Sequence, residues 1–169
     1  KRYKALIPAL WQFLVFFYFM GRMSYIQYGG SVQIFMSWLP QMDINVNLVL
    51  DGLSWMFALV ISGIGGLVFL YAHAYMKKYP FTDSFYFQLM LFSGAMLGLV
   101  LSQNLIILFV FWELTSLLSF LLISFFHEKK ASREAAFQSF FITGFGGLSL
   151  LAGIILLGGI VDSFSVFDW

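Results

Sequence analysis

Cysteine is absent from the 169 residues of this sequence, and that absence excludes a disulfide framework and any metal site built on thiolates. Charge is also scarce, because Asp, Glu, Lys and Arg make up only 10% of the chain, whereas a soluble domain carries about 25%. An ordinary soluble domain is therefore excluded. The formal net charge of +1 gives no indication of a nucleic-acid partner, and none is predicted.

Motifs for catalysis are missing as well. The sequence has no glycine-rich phosphate loop, no HExxH helix and no pair of carboxylates spaced to share one helix face. No residue pattern implies a cofactor or a bound metal, and we do not expect the chain to be an enzyme.

Apolar residues are abundant: 61% of the chain is hydrophobic, and 22 residues are Phe. Crossing a bilayer takes about 20 helical residues, and five apolar segments can do so, roughly 5–21, 48–76, 85–102, 103–126 and 136–160. The predicted fold class is all-α, a polytopic membrane helix bundle of about five transmembrane helices. Residues 1–169 form one transmembrane region, which we expect to be a fragment of a longer chain.

The links between these segments differ in length. Residues 22–47 form the one long link, and their Gly, Pro and Asn residues predict an extracytoplasmic loop with little regular structure. The short stretch 102–104 predicts a tight turn between two helices. Asp51 is predicted to cap the second span, with Ser54 in its first turn, and Ser132 is predicted to cap the last.

The positive charges predict an orientation. If five spans alternate, eight of the nine Lys and Arg residues fall on one side of the membrane, and only Arg22 falls on the other. The eight are Lys1, Arg2, Lys4, Lys77, Lys78, Lys129, Lys130 and Arg133. The positive-inside rule then places the first residue in the cytoplasm and the last outside a bacterial plasma membrane.

Glu113 is the one charged residue of the fourth segment, NLIILFVFWELTSLLSFLLISFF, and lies near its centre. An ionised residue at the centre of a membrane helix costs about 2.5–3.5 kcal/mol on insertion scales, and such residues are usually functional. Glu113 is therefore a candidate for taking up and releasing a proton. The alternative is a protonated carboxyl group that hydrogen bonds to a neighbouring helix.

Hydroxyl groups accompany Glu113. Ser116 follows at i+3 on the same helix face, and Thr115 and Ser119 form an i,i+4 pair on an adjoining face. Thr143 belongs to a small, partly polar face of the last segment. These hydroxyls either hold water beside the carboxylate or form the hydrogen bonds between helices that are common in membranes.

Two further titratable residues lie at the ends of the second segment. Asp51, at its start, and His73, near its predicted cytoplasmic end, are possible points of ion or proton access. A helix cap at Asp51 and a tolerated interfacial histidine are the alternatives.

Small residues recur at helical spacing and predict close helix packing. They are Ser62 and Gly66 in the second segment, Gly94, Gly98 and Ser102 in the third, and Ser139, Thr143, Gly146, Gly147 and Gly153 in the last.

Three stretches together resemble a known family. They are LDGLSWMFALVISGIGGLVFLYAHAYM, LFSGAMLGLVLSQNLIILFVFWELTSLLSFLLISFF and AFQSFFITGFGGLSLLAGIILL. They are similar to the N-terminal region of the large A subunit of Mrp-type multisubunit Na+/H+ antiporters, itself similar to the antiporter-like subunits of respiratory complex I. The FWELTS block preceded by SQNL carries the resemblance most specifically. Complex I relatives usually have an Arg and an Asp where this chain has Gly144 and Gly147, which favours the Mrp subunit.

The resemblance implies a function. Glu113 would match the family's intramembrane glutamate, which works with a lysine on a later broken helix. The intact assembly would exchange Na+ for H+, and the partners would be other subunits of a hetero-oligomeric membrane complex, the lipid bilayer, Na+ and H+. Two alternatives stay open: a proton-pumping subunit of complex I or a membrane hydrogenase, and a structural or assembly subunit in which Glu113 only packs.

Overall fold

The computed structural model describes residues 6–39, 44–76, 79, 82–161 and 163–166. Helices α1 (Leu6–Gly21) and α2 (Met23–Gln27) come first, followed by strands β1 (Val32–Leu39) and β2 (Ile44–Leu50). Helices α3 (Gly52–Tyr75), α4 (Thr82–Leu101), α5 (Leu105–Ile123) and α6 (Lys130–Val161) form the rest, with a 3₁₀ turn (Ser124–Phe126) after α5.

The predicted helix bundle is confirmed. Within the described residues, four helices are long and apolar enough to cross a membrane, namely α3, α4, α5 with its 3₁₀ turn, and α6. The first predicted span is an apolar helix of only 16 residues, about 24 Å long at about 1.5 Å per residue. Helix α1 packs on α3, α4 packs on α5, and α5 packs on α6.

The prediction of an irregular loop over residues 22–47 was wrong. This link contains the short helix α2 and an antiparallel hairpin, in which Val32 pairs with Leu50 and Ile34 pairs with Leu48. Gly29, at φ 80°, makes the turn that leads into β1. The Gly, Pro and Asn residues of this link favour a loop, but the Val, Ile, Phe and Trp residues of β1 favour a strand. Pro40 lies outside the described residues.

The predicted cap of the second span is confirmed, although that span begins later than expected because residues 48–50 belong to β2. The backbone N–H of Ser54 donates to the Asp51 carboxylate at 2.8 Å, and the Asp51 N–H donates to the Ser54 hydroxyl at 2.8 Å. This reciprocal capping box satisfies two donors at the helix start. The predicted cap at Ser132 was wrong, because α6 already begins at Lys130 and the Ser132 N–H donates to the Lys129 carbonyl.

Replacing Asp51 with Ala should lower the free energy of unfolding by about 1 kcal/mol, the usual effect of losing an N-cap. Burial, the largest single influence, acts to raise the pKa of Asp51, but hydrogen bonds from Ser54 and Leu53 outweigh it and the net pKa is lowered. The cap's contribution should therefore be present above the ordinary value of 3.8 and should disappear as pH falls through the lowered value. Thermal unfolding of the parent protein and of Asp51→Ala in detergent, at pH 7 and at low pH, measures the contribution of the cap. If the difference in free energy of unfolding between the two proteins does not shrink on acidification, the predicted pH dependence is wrong.

The hairpin lies at one end of the bundle, where three chain segments are joined through their backbones; we call this the hairpin end. The Gln103 N–H donates to the Asn47 carbonyl at 2.9 Å, and the Val166 N–H donates to the Gln103 carbonyl at 2.8 Å. The Leu105 N–H donates to the Phe164 carbonyl at 2.9 Å. The predicted turn between α4 and α5 is thus held between β2 and the residues that follow α6.

A buried polar contact that the sequence did not reveal joins α1 to α4. The Gln12 side-chain amide donates to the Ser93 hydroxyl at 2.6 Å, and both side chains are buried. Gly65 on α3 leaves room for this contact, because a Cβ there would lie 2.8 Å from the Gln12 amide nitrogen. Each partner prevents the other from being an unsatisfied polar group in an apolar interior.

Replacing Ser93 with Ala should destabilise the bundle by about 1 kcal/mol, because the Gln12 amide would remain buried without its acceptor. The double variant Gln12→Leu with Ser93→Ala should recover most of that loss, since both polar groups are then removed together. Detergent unfolding of the two single variants and the double variant gives the coupling energy. Simple additivity of the two effects would show that the contact is not energetically important.

The small residues predicted to pack closely do so at some positions and not at others. A Cβ at Gly66 would lie 2.8 Å from the Phe13 ring of α1, and a Cβ at Gly98 would overlap the Phe111 ring of α5, so close packing is confirmed at these positions. At Gly94 and Gly153 a Cβ would meet no atom within 4 Å among the described residues.

Candidate functional site: an intramembrane carboxylate

Glu113 lies midway along α5, the helix that packs between α4 and α6. Its side chain is half-buried, and its Oε1 atom is fully shielded with no hydrogen-bond partner among the described residues. The carboxylate approaches the backbone of Gly147 on α6 so closely that a Cβ at position 147 would overlap Oε1. Any larger residue at position 147 would require this carboxylate to move from its place against the α6 backbone.

Aromatic side chains fix the packing of α5 on α6 beside this contact. The ring of Phe120 lies 5.4 Å from that of Phe137 and 5.3 Å from that of Phe140, measured between centroids. Phe120 is two helical turns after Glu113 on the same side of α5. These rings hold the two helices at the spacing that places Oε1 against Gly147.

The carboxylate also lines a groove of about 310 Å³ on the outer side of the α5–α6 pair. All other lining residues are apolar: Phe109, Phe140, Phe141, Gly144, Phe145 and Leu148. Phe145 is 72% exposed and Leu148 is 63% exposed. A carboxylate at an apolar groove has two ways to avoid the cost of an unpaired buried charge, which are to bind a proton or to pair with a cation.

Two of the four predicted hydroxyl groups bond to their own helices. The Thr115 hydroxyl donates to the Trp112 carbonyl at 2.7 Å, and the Thr143 hydroxyl donates to the Ser139 carbonyl at 2.9 Å. Ser116 is buried on the Glu113 face, and Ser119 is half-buried. Such bonds to the preceding turn are common for hydroxyl groups in helices.

The structure does not bring the two proposed access residues to Glu113. Asp51 lies at the hairpin end in its capping box, and His73 lies near the opposite end of α3. Neither residue lines the groove beside Glu113. Within the described residues, no group of three or more His, Asp or Glu side chains could hold a metal ion.

Two family profiles match the chain. The profile described as the N-terminus of chain 5 of NADH-ubiquinone oxidoreductase (complex I) covers residues 35–86. The profile described as the transmembrane region of NADH:quinone oxidoreductase and the Mrp antiporter covers residues 102–168, which include the α5–α6 pair and Glu113. The chain belongs to this family of antiporter-like membrane subunits.

The curated relatives of this chain are Na(+)/H(+) antiporter subunits. The chain is 52% identical over 155 residues to Na(+)/H(+) antiporter subunit A1 of Staphylococcus haemolyticus, a match that covers 92% of this chain and 19% of the relative. It is 50% identical over 153 residues to the subunit of the same name from Staphylococcus aureus strain Newman, covering 90% of this chain and 19% of the relative. The chain thus spans about a fifth of the length of these relatives.

Solved structures share the fold. A chain in the Mrp complex from Dietzia sp. DQ12-45-1b superposes with a TM-score of 0.78 at 26% identity, over 97% of this chain and 18% of that one. A chain in the membrane-bound sulfane sulfur reductase, an archaeal respiratory membrane complex, gives a TM-score of 0.81 at 20% identity, over 99% of this chain and 26% of that one. Because the second match has only 20% sequence identity, it shows a shared fold and nothing more.

Sequence reasoning missed one residue of the site. Gly147 was assigned to a stripe of close packing, but its particular contact with the Glu113 carboxylate was not foreseen. A Cβ added at the neighbouring Gly146 would meet no side chain or other element within 4 Å in the described part of the chain. The chain carries 15 glycines, and nothing local in the sequence distinguishes the one that faces the carboxylate.

Proposed function

We propose that this chain is part of a membrane subunit of a multisubunit monovalent cation/proton antiporter that exchanges Na+ for H+. In this proposal Glu113 is the proton carrier, and the chain acts in transport rather than as an enzyme. The family profile over residues 102–168 and the antiporter relatives support the class of function.

The observation that carries the proposal is the environment of the Glu113 carboxylate. One oxygen has no hydrogen-bond partner in the described part of the chain, and the side chain opens on an apolar groove. A carboxylate with a shielded, unpartnered oxygen at an apolar groove can either bind a proton or pair with an approaching cation. Alternation between these two conditions would load a proton onto Glu113 and release it.

The proposed setting is the bacterial plasma membrane, with the first residue in the cytoplasm and the hairpin end outside. The eight-to-one distribution of Lys and Arg supports this orientation. The partners are other subunits of the complex and the lipid bilayer. Large apolar side chains on the outer face of α6, such as Phe141, Ile142 and Ile160, are 60–78% exposed and are available to both.

The test of this function is Na+ addition to liposomes that contain the purified full assembly and hold an imposed pH gradient. We expect NaCl to collapse the gradient, and choline chloride at the same ionic strength to leave it unchanged. A gradient that responds only when an electron donor and a quinone are supplied would contradict antiport. It would assign the chain to a redox-driven complex, the class that the complex I profile over residues 35–86 represents.

A further inference from the structure

A second polar site lies at the hairpin end, outside the groove at Glu113. It is a pocket of about 130 Å³, large enough for several water molecules. Phe35 and Phe164 contribute the apolar part of its lining. The other six lining side chains are amides and hydroxyls, namely Asn45, Asn47, Gln103, Asn104, Ser163 and Ser165. The described residues of the lining therefore offer neutral oxygen atoms and no charged group.

Several backbone donors around this pocket already have acceptors. The N–H groups of Gln103, Leu105 and Val166 donate to carbonyl groups across the three joined segments. The Asn104 side-chain oxygen accepts from the N–H groups of Ile106 and Ile107, at 2.9 Å and 3.3 Å. The start of α5 consequently has no free donors in its first turn for an anion, although helix N-termini often bind anions.

The polar atom of this pocket that lacks a partner among the described residues is a hydrogen-bond acceptor. The Asn47 side-chain oxygen is fully shielded and has no hydrogen-bond partner in the described part of the chain. Because a shielded oxygen without a partner is costly, its natural complement is a positive or hydrogen-bond-donating ligand. The C-terminal end of α6 at Val161, two residues before Ser163 in the chain, adds the partial negative charge of its last carbonyls.

We propose that this pocket is a binding site for Na+, coordinated by the Asn47 side-chain oxygen together with neighbouring amide and hydroxyl oxygens. Neutral oxygens can replace the hydration shell of a monovalent cation. Ca2+ and Mg2+ sites instead draw on carboxylates, and none of the described residues that line this pocket carries one. The inference rests on the proposed function, in which the hairpin end faces the extracytoplasmic side and Na+ is the exchanged ion.

The test is hydrogen–deuterium exchange of the purified full assembly, followed by mass spectrometry of the peptides that contain residues 103–108 and 163–166. Samples in NaCl and in choline chloride are compared at equal ionic strength. Binding slows exchange in proportion to 1 + [Na+]/Kd when the pocket must open for exchange to occur. At a Na+ concentration ten times the Kd we expect exchange in these peptides to be about tenfold slower than in choline.

Three variants make the result specific. Asn47→Leu should lose the Na+-dependent protection, and Asn47→Asp, which keeps an oxygen at this position, should retain it. Gln88→Leu is the matched control, because Gln88 also has a shielded amide oxygen with no partner among the described residues but lines a different pocket at the opposite end of α4. Protection that persists in Asn47→Leu, or that is absent from the parent protein, would overturn the proposal and leave a pocket for water only.

The same experiment on Glu113→Gln separates the two proposals. Protection at the hairpin end that survives in this variant supports the Na+ site, whether or not the variant still transports. If transport proves to be redox-driven while Na+ still slows exchange at the hairpin end, the proposed antiport function is wrong and the proposed Na+ site is supported. If transport is Na+/H+ exchange while protection is absent, the function stands and the pocket does not bind Na+.

Discussion

Replacing Glu113 with Gln should abolish Na+/H+ exchange by the full assembly, lowering the rate by at least about a hundredfold, the lower range for loss of a proton-transferring group. Glutamine has nearly the same shape as glutamate and fits beside Gly147, but it cannot bind and release a proton. Inverted membrane vesicles, in which Na+ addition collapses a preformed proton gradient, give the rate. Immunoblots of the subunits establish that the complex has assembled.

The matched control is Glu134→Gln, the same chemical change at an exposed position. Glu134 is 67% exposed and pairs with Lys130 at 3.6 Å on the surface of α6, and such exposed pairs contribute little to stability. We expect its exchange rate to equal that of the parent protein. Normal exchange in an assembled Glu113→Gln complex would show that the carboxylate only packs, which is the structural alternative raised by the sequence.

Replacing Gly147 with Ala should reduce exchange by at least about tenfold while the helices still insert. The added Cβ would overlap the Glu113 Oε1 atom, so the carboxylate must move or the α5–α6 spacing must increase. Displacement of a reacting group by about 1 Å can lower a rate by about a hundredfold, and tenfold is a conservative expectation. The exchange assay in inverted vesicles measures the effect.

Gly146→Ala is the control for this substitution. It introduces the same methyl group one residue earlier in the same helix, where a Cβ would meet no described atom within 4 Å beyond the adjacent helix backbone. We expect near-parental exchange from Gly146→Ala and a large loss from Gly147→Ala. Equal effects of the two variants would mean that helix propensity or general packing is responsible, and that contact with Glu113 is not.

The parts of the fold that follow from local patterns could be predicted from the sequence. Long apolar runs identify α3 to α6, because each must satisfy its backbone hydrogen bonds within the membrane. The Asp51 cap and the turn before α5 were also predictable, since Asp, Ser and Asn at these positions satisfy the free N–H groups of a helix start. Glu113 stood out because a lone charge is expensive within an apolar helix.

The parts that depend on distant contacts could not be predicted. The hairpin is stabilised by pairing between residues such as Val32 and Leu50, and its turn residues resembled an irregular loop. The bond between Gln12 and Ser93 joins residues 81 positions apart, and the shielded oxygen of Asn47 results from three segments meeting at one end of the bundle. Sequence spacing within one helix contains no information about these contacts.

The most direct test of Glu113 as the proton carrier is Na+-induced infrared difference spectroscopy of the purified full assembly. The spectra are recorded with and without Na+ at constant pH, for the parent protein and for Glu113→Gln. We predict that Na+ removes the carbonyl stretching band of a protonated carboxyl group in the parent, and that this change is missing in Glu113→Gln. A Na+-dependent band of equal size in both proteins would contradict the account, because the proton would then be carried by another residue.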